Sequence, residues 1–345
     1  MLARFNDPGL EWHVFCYDAP DPTVTANSHV VCHPLRRGRL WPLHALFHYL
    51  QPYDAVVYPG HEWFDSIGVR WGKFLWHNRP VIATQEGIMG DANVATKLEQ
   101  LCGHPVYCDD KSARQIHIFE TVRRYADHIV AISPFLQKVA SALFEAGHSC
   151  VSLGVERHFF DKAEDAGRSK IVVGAGRLAS QKRPEIFLEL AALFPEAQFV
   201  WYGDGPLRAT LCAKVDQAHL SNLHFPGALP PNELGAAFRG ASLFVLPSLS
   251  EGVPKVSQEA AASGLPVIIF GFYEAPTVIN GENGFVVWSD EELKERVQTL
   301  LGDDALRARM SRAALNLARN WDWDIVAPLW EARIAQELRR RIGTK

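Results

Sequence analysis

Residues Lys170–Phe194 read "KIVVGAGRLASQKRPEIFLELAALF". A β-branched run ends in Gly-x-Gly, a polar turn follows, and an apolar-rich amphipathic stretch comes next. This is a strand, a tight turn and a helix, the repeating unit of a parallel α/β sheet. The unit recurs in both directions. Upstream, "EWHVFCY", "HVVCH", "DAVVYPG", "PVIAT" and "HIVAIS" read as strands; downstream, "QFVWYGDG", "LHFPG", "SLFVLPS", "LPVIIF" and "GFVVW" do. Helical stretches such as "DEELKERVQTLLG" lie between many of them, so the pattern predicts an α/β protein with parallel sheets. The polar segment Asp161–Lys170, "DKAEDAGRSK", breaks the alternation once and reads as a linker. Two doubly wound, Rossmann-like domains facing a cleft follow, with ligands expected at the carboxyl ends of the strands. The expected parts are a front domain over 1–154, a back domain over 155–325 and a closing helix over 326–345.

At 345 residues the chain is long for a single core, in keeping with two domains. The formal net charge is −4, with 39 acids and 35 bases intermixed, which argues against nucleic acid as a partner. Six cysteines without a C-x-x-C pair read as reduced thiols of a cytosolic protein. The opening "MLARFNDPGLEWHV" lacks the basic start and apolar stretch of a signal peptide, and no apolar run reaches the ~18 residues of a spanning helix. The expected location is cytoplasmic. The "RRR" of the C-terminal segment leaves a peripheral membrane contact open, although a solvated helix end explains the same residues.

Ser248–Ile268, "SLSEGVPKVSQEAAASGLPVI", carries Glu251 and Glu259 eight residues apart. Glu251 falls in the loop after a strand, and Pro254 suits a first helical turn, so Glu259 stands about one turn into the helix. Gly252 and the helix start offer backbone N–H groups to an anion, while a carboxylate accepts two hydroxyl protons from a vicinal diol. The ligand suggested is part polyol and part phosphate. By spacing alone, a solvated loop glutamate and a helix-surface glutamate are the plainer explanation. Two further clusters shift the weight. Arg177 and Lys182 follow the Gly-x-Gly turn that ends in Gly176 and stand before a helix, where both could face a diphosphate. The third glycine of a dinucleotide fingerprint is absent there. "VWYGDGPLRATL" places Gly203, Gly205 and Pro206 after another strand, letting a second backbone approach the same cleft. An ordinary tight turn is the plain alternative.

In this order the clusters resemble the donor domain of retaining glycosyltransferases of family 4, which have the GT-B fold. "EGVPKVSQEAAASGLPV" matches the family's Glu, seven residues, Glu; "GAGRLASQKRP", "GDGP", "LPSLSEG" and "NGENGFVV" match its neighbouring motifs. In the front half "YADHIVAISPFLQKVA" and "VSLGVERHFF" are similar to segments that close the first domain. The resemblance implies transfer of a sugar from a nucleotide-sugar donor to an acceptor hydroxyl with retention of configuration, in polysaccharide, glycolipid or other glycoconjugate synthesis. Arg177 and Lys182 would neutralise the pyrophosphate, with Gly176 and Gly205 beside them. Glu259 would hold the ribose diol, and Glu251 the sugar hydroxyls, with backbone N–H groups around Gly252, Val253, Pro254 and Lys255. Lys255 also reads as a solvated lysine. The family works without a bound metal, and no cofactor beyond the donor is implied. The acceptor is open: a saccharide, a lipid-linked sugar or a small molecule. The alternatives are another GT-B enzyme, an epimerase or a phosphorylase, and a non-catalytic partner subunit that keeps the donor fold.

The front half departs from the family. Glu86, in "TQEG", stands where members often carry a histidine; it serves sugar or acceptor, or caps a turn. His61 and Glu62 are acceptor-site candidates, and Trp63 and Trp71 either stack on an acceptor sugar or pack internally. Phe272 and Tyr273, in "FGFYEAP", replace a Gly-Gly loop before Glu274 and are expected to wall the sugar pocket. His44 and His48 have a metal-like i, i+4 spacing, but packing histidines explain them better. The closing helix, by resemblance, crosses back to the first domain. Finally, "EWHVFCYD" matches the family's second strand, so the first domain is expected to lack its opening strand, loop and helix and to have a reduced sheet.

Overall fold

The structure, a computed structural model, describes residues 1–16, 20–34, 43, 46–47, 51–58, 63–76, 79–109, 111–160 and 170–342. The expected linker up to residue 169, His44, His48, His61 and Glu62 lie outside the described residues. The chain divides into two compact units, one of Met1–Ala92, Asp110–Gly154 and Trp323–Lys345, the other of Asn93–Asp109 and Val155–Asp322. Two boundaries differ from expectation. Asn93–Asp109 belongs with the back half, because Asp109 accepts hydrogen bonds from Gln181 and Ser250, contacts that no local pattern announces. The closing helix, Trp323–Ile342 among the described residues, begins three residues earlier than expected. Its first residue lies so close to Gly154 that a Cβ there would come 2.2 Å from the Trp323 ring.

The second unit is built on a six-stranded parallel sheet. Its strands are β7 (Ile171–Ala175), β8 (Gln198–Tyr202), β9 (Leu223–Gly227), β10 (Leu243–Leu246), β11 (Val267–Phe270) and β12 (Gly284–Val287), in the order β12-β11-β10-β7-β8-β9. The two central strands, β7 and β10, and β11 beside β10 are buried almost throughout, as continuous apolar runs in a doubly covered sheet must be. Small and large residues interlock there: a Cβ on Gly174 would lie 2.5 Å from Trp201, whose ring meets Phe187 edge-on at 5.1 Å. The helix Asp290–Gly302 starts where "SDEE" predicts, with Ser289 Oγ accepting from the Glu292 N–H at 3.1 Å.

The first unit holds two parallel sheets among the described residues. One is β3 (Val56–Tyr58), β4 (Val81–Gln85), β5 (His128–Ala131) and β6 (Gly147–Cys150), in that order. The other pairs β1 (Trp12–Cys16) with β2 (Val30–Pro34). Thus the "EWHVFCYD" strand is not in the centre of the four-stranded sheet; β2 is its one ladder partner among the described residues. Strand β6, "GHSC", is polar, short and at an edge, and carries no β-branched signal by which to foresee it. The closing helix packs on its own unit: Trp330 Nε1 donates to the Ser152 carbonyl at 2.8 Å, and Glu331 accepts from the Asn6 N–H and Trp12 Nε1. At its end Arg339 meets Asp7 at 3.0 Å. None of the six cysteines is in a disulfide. No helix among the described residues is long and apolar enough to cross a membrane.

Candidate functional site

Chain order in the second sheet reverses between β7 and its neighbour β10. The loops leaving two such strands diverge, which opens a crevice at their carboxyl ends. Gly176 ends the first loop's turn at φ 141°, and Gly203, after β8, stands at φ 147°. Both are conformations that glycine adopts freely and other residues rarely. The two turns touch: a Cβ on Gly203 would lie 2.0 Å from the Gly176 carbonyl oxygen, and one on Gly205 would lie 2.5 Å from that of Leu178. Leu178 N–H donates to the Asp204 carbonyl at 3.0 Å, and Leu207 N–H to that of Leu178 at 3.1 Å. Two turns read separately in the sequence are therefore one packed unit.

A 3-10 turn, Ser180–Lys182, carries the chain toward the loop after β10. There the Lys182 ammonium pairs with Glu251 Oε1. Glu251 is only 9% exposed, so this cation is the partner that a buried carboxylate requires. Gln181 fixes the approach. Its Nε2 donates to Asp109 Oδ1 and to the Ser250 carbonyl, both at 2.9 Å, and its own carbonyl accepts from the Leu249 N–H at 3.2 Å. Ser250 Oγ donates to the same Asp109 oxygen at 3.0 Å. Asp109 and Gln181 are contributors that sequence reading missed. Gln181 lies inside the "ASQKRP" motif and could have been suspected, whereas Asp109 lies some 70 positions upstream with no motif around it.

Pro254 is the N-cap of the helix Lys255–Ala262 and precedes its first turn, one position earlier than expected. Val253 is buried, and Gly252 is half-buried beside it. Glu259 sits one turn into the helix with its side chain 13% exposed, 3.8 Å from Lys255 Nζ. Burial raises its pKa from 4.5 to about 7; Lys255 opposes the rise, and Glu156 adds to it. Arg177 is exposed, and its guanidinium makes no ion pair among the described residues.

Phe272 and Tyr273 do not wall an open pocket, because both are buried. Phe272 stacks on Phe270 at 5.2 Å, filling the space beneath its own loop. Burial, and then the Glu251 carboxylate, push the Tyr273 phenol well above its usual range, which puts this hydroxyl within the electrostatic reach of Glu251. Glu86 belongs to the first unit, just past β4, exposed, with Oε1 accepting from Thr84 Oγ1 at 2.8 Å. Trp63 is half-buried against Phe64, and Trp71 is exposed.

Residues 155–317 match a family model described as "Glycosyl transferases group 1". The D-inositol 3-phosphate glycosyltransferase of Corynebacterium glutamicum is 33% identical over 178 residues, 46% of this chain and 41% of its own length. The sulfoquinovosyl transferase of Arabidopsis thaliana is 31% identical over 159 residues, 44% of this chain and 31% of its own. The chain therefore spans less than half the length of these curated relatives. An uncharacterized glycosyltransferase of Methanocaldococcus jannaschii is 24% identical across 94% of this chain and 89% of its own. Among solved structures, sucrose-phosphate synthase of Thermosynechococcus elongatus superimposes with a TM-score of 0.74 at 18% identity, covering 96% of this chain and 89% of that one. Anabaena HepE, solved with UDP and glucose, gives 0.70 at 17%, covering 95% and 91%. Each has the two-unit, parallel-sheet GT-B architecture found here.

Proposed function

We propose, from the match of residues 155–317 to the group 1 glycosyltransferase model, that the chain is a retaining glycosyltransferase of family 4. It moves a sugar from a nucleotide-sugar donor to an acceptor hydroxyl. The observation that carries this reading is the Lys182–Glu251 pair standing across the strand-order reversal of the second sheet. A diphosphate leaving group needs positive charge where its negative charge develops. Arg177 and Lys182 supply that charge from the loop after β7. Donor oxygens compete with Glu251 for the Lys182 ammonium and release the carboxylate to sugar hydroxyls. Glu259, one helical turn further, takes the ribose diol; Gly176, without a side chain, leaves room for the phosphates, and Gly205, pressed against the Leu178 backbone, holds its turn beside them. Backbone groups from Gly252 to Lys255 complete the sugar contacts. No side chain is assigned as a nucleophile, so the acceptor attacks the face that the diphosphate leaves. Glu86 is a polar contact for sugar or acceptor in the first unit. The reaction is cytoplasmic and runs without a cofactor other than the donor.

A thermal-shift screen of UDP-, GDP- and ADP-sugars tests the donor. Ligand at about 100 times its dissociation constant adds roughly 2.7 kcal/mol of stability. The anomeric configuration of the product, read by NMR against that of the donor, tests retention. No shift with any nucleotide sugar and no donor turnover would leave the donor-fold partner subunit as the better reading.

A further inference from the structure

A second cluster lies in the same unit and shares no residue with the proposed donor site. Cys102 ends the helix Ala92–Cys102, His104 follows two residues later, and Glu274 follows β11. The Cys102 sulfur, a His104 ring nitrogen and a Glu274 carboxylate oxygen all lie within 4.8 Å of one another. His104 Nδ1 is 3.0 Å from the Pro105 carbonyl oxygen, and Nε2 is 3.0 Å from Glu274 Oε1. Both ring nitrogens thus face oxygen acceptors. A neutral imidazole has one N–H, so the second contact sets lone pair against lone pair unless a proton or a metal ion stands between. The Pro105 carbonyl is the kind of outer acceptor that holds Nδ1–H and turns Nε2 toward a metal. The ring is also held at 5.2 Å from Trp288. Glu274 is one of the few non-glycine residues at positive φ, 41°, a backbone geometry of order 1 kcal/mol above the usual regions.

We infer that Cys102, His104 and Glu274 form a site for a zinc-class divalent cation. Thiolate, imidazole and carboxylate together are a borderline-soft donor set that suits Zn²⁺ far better than Mg²⁺ or Ca²⁺. Bonds of about 2.0–2.3 Å place tetrahedral ligands roughly 3.3–3.7 Å apart, so the His104–Glu274 pair, at 3.0 Å, opens slightly and the Cys102 sulfur closes by up to about an ångström on binding. Water takes the fourth position. The ion ties the end of the Ala92–Cys102 helix to the loop that carries Tyr273, and so braces the ground beside Glu251. Its role is structural, apart from the transfer chemistry.

The test is cobalt titration of the full chain after chelator treatment. One equivalent of Co²⁺ should bind with a near-ultraviolet thiolate-to-metal band, displaced by Zn²⁺ and not by Mg²⁺. Cys102→Ser should abolish the band, and Cys150→Ser should keep it. Glu274→Gln and His104→Gln should each weaken Co²⁺ binding by about tenfold or more. The inference is overturned if the wild-type chain gives no band, if the band persists in Cys102→Ser, or if Mg²⁺ displaces cobalt. Should Cys102→Ser not fold, unchanged affinity in both other variants overturns it equally.

Discussion

Arg123, in the last turn of the helix Ala113–Tyr125, reaches the end of β4 with its side chain, Arg177 follows the end of β7, and the two do opposite things. Arg123 is buried against β4. It donates to Gln85 Oε1 at 2.9 Å, to the Phe119 carbonyl at 3.1 Å and to the Thr84 carbonyl, and stacks 3.3 Å over the Phe119 ring. Burial lowers its pKa to about 9, against the opposing pull of Glu86 and Asp65. Arg177 is exposed at the Gly-x-Gly turn and makes no ion pair among the described residues. An arginine beside a strand end is structural where its own chain supplies the acceptors; where it does not, as at Arg177, the charge is left for the proposed ligand. Arg123→Ala leaves several buried oxygens without donors, so it should lower unfolding free energy by about 3 kcal/mol or more in urea titration. Arg177→Ala should leave the same curve within about 0.5 kcal/mol of wild type. Equal losses would erase the distinction.

The comparison sharpens in binding. Arg177→Ala should weaken a nucleoside diphosphate by about 1.5–3 kcal/mol, one charge-assisted contact, in a calorimetric titration. Lys182 stands between the two arginines. By sequence it belongs only to the ligand and is dispensable for folding, but its pairing with Glu251 corrects that. Lys182→Ala should weaken the nucleotide similarly and also destabilise the fold by about 1–3 kcal/mol, because it strands a buried carboxylate. A Lys182→Ala protein as stable as wild type would show that the pair contributes nothing.

These cases mark what could be read beforehand. The second unit's strands, its glycine turns and the Glu251–Glu259 spacing are local patterns, a few residues wide, and each is visible in a short window. Lys182 meeting Glu251 joins positions 69 apart, and Asp109 reaches Gln181 across 72. Only packing brings them together. Tyr273 looked like a pocket wall because aromatic residues replaced glycines; its burial follows from the space under the loop, which no linear pattern encodes. Strand β6 escaped for a different reason: a polar edge strand is held by the ladder to β5 rather than by its own side chains.

Glu259 carries the contrast from cations to carboxylates, because it is buried beside a partner too exposed to neutralise it fully. Its folded-state pKa of about 7 lies above the ordinary 4.5. The stability this group contributes is therefore fully present below about pH 4.5 and lost as pH rises through about 7. Glu259→Gln does not titrate. It should match wild type near pH 4 and exceed it by about 1–3 kcal/mol at pH 8, in thermal unfolding followed across pH. The same change should weaken the nucleotide, since the ribose loses a charged acceptor. Glu251→Gln should leave nucleotide affinity nearly intact and reduce transfer. Equal nucleotide losses in the two variants would contradict the division of ribose from sugar.

Lys255 gives the smallest expected effect and the sharpest sign. Its ammonium lies 3.8 Å from Glu259 Oε1 with 45% of its side chain exposed, so solvent screens the pair. Such pairs are worth about 0.2–1 kcal/mol, less than about one pKa unit. Lysine is the group that holds Glu259 down, so Lys255→Ala should move that pKa upward from about 7. If the ionised carboxylate holds the ribose diol, nucleotide affinity climbs as Glu259 loses its proton. The midpoint of that climb, defined as the part absent in Glu259→Gln, should then shift to higher pH in Lys255→Ala by a fraction of a unit. Stability should stay within about 0.5 kcal/mol of wild type. No shift would mean that Glu259 answers to burial alone, and an affinity loss equal at every pH would mean that Lys255 acts on the phosphate directly.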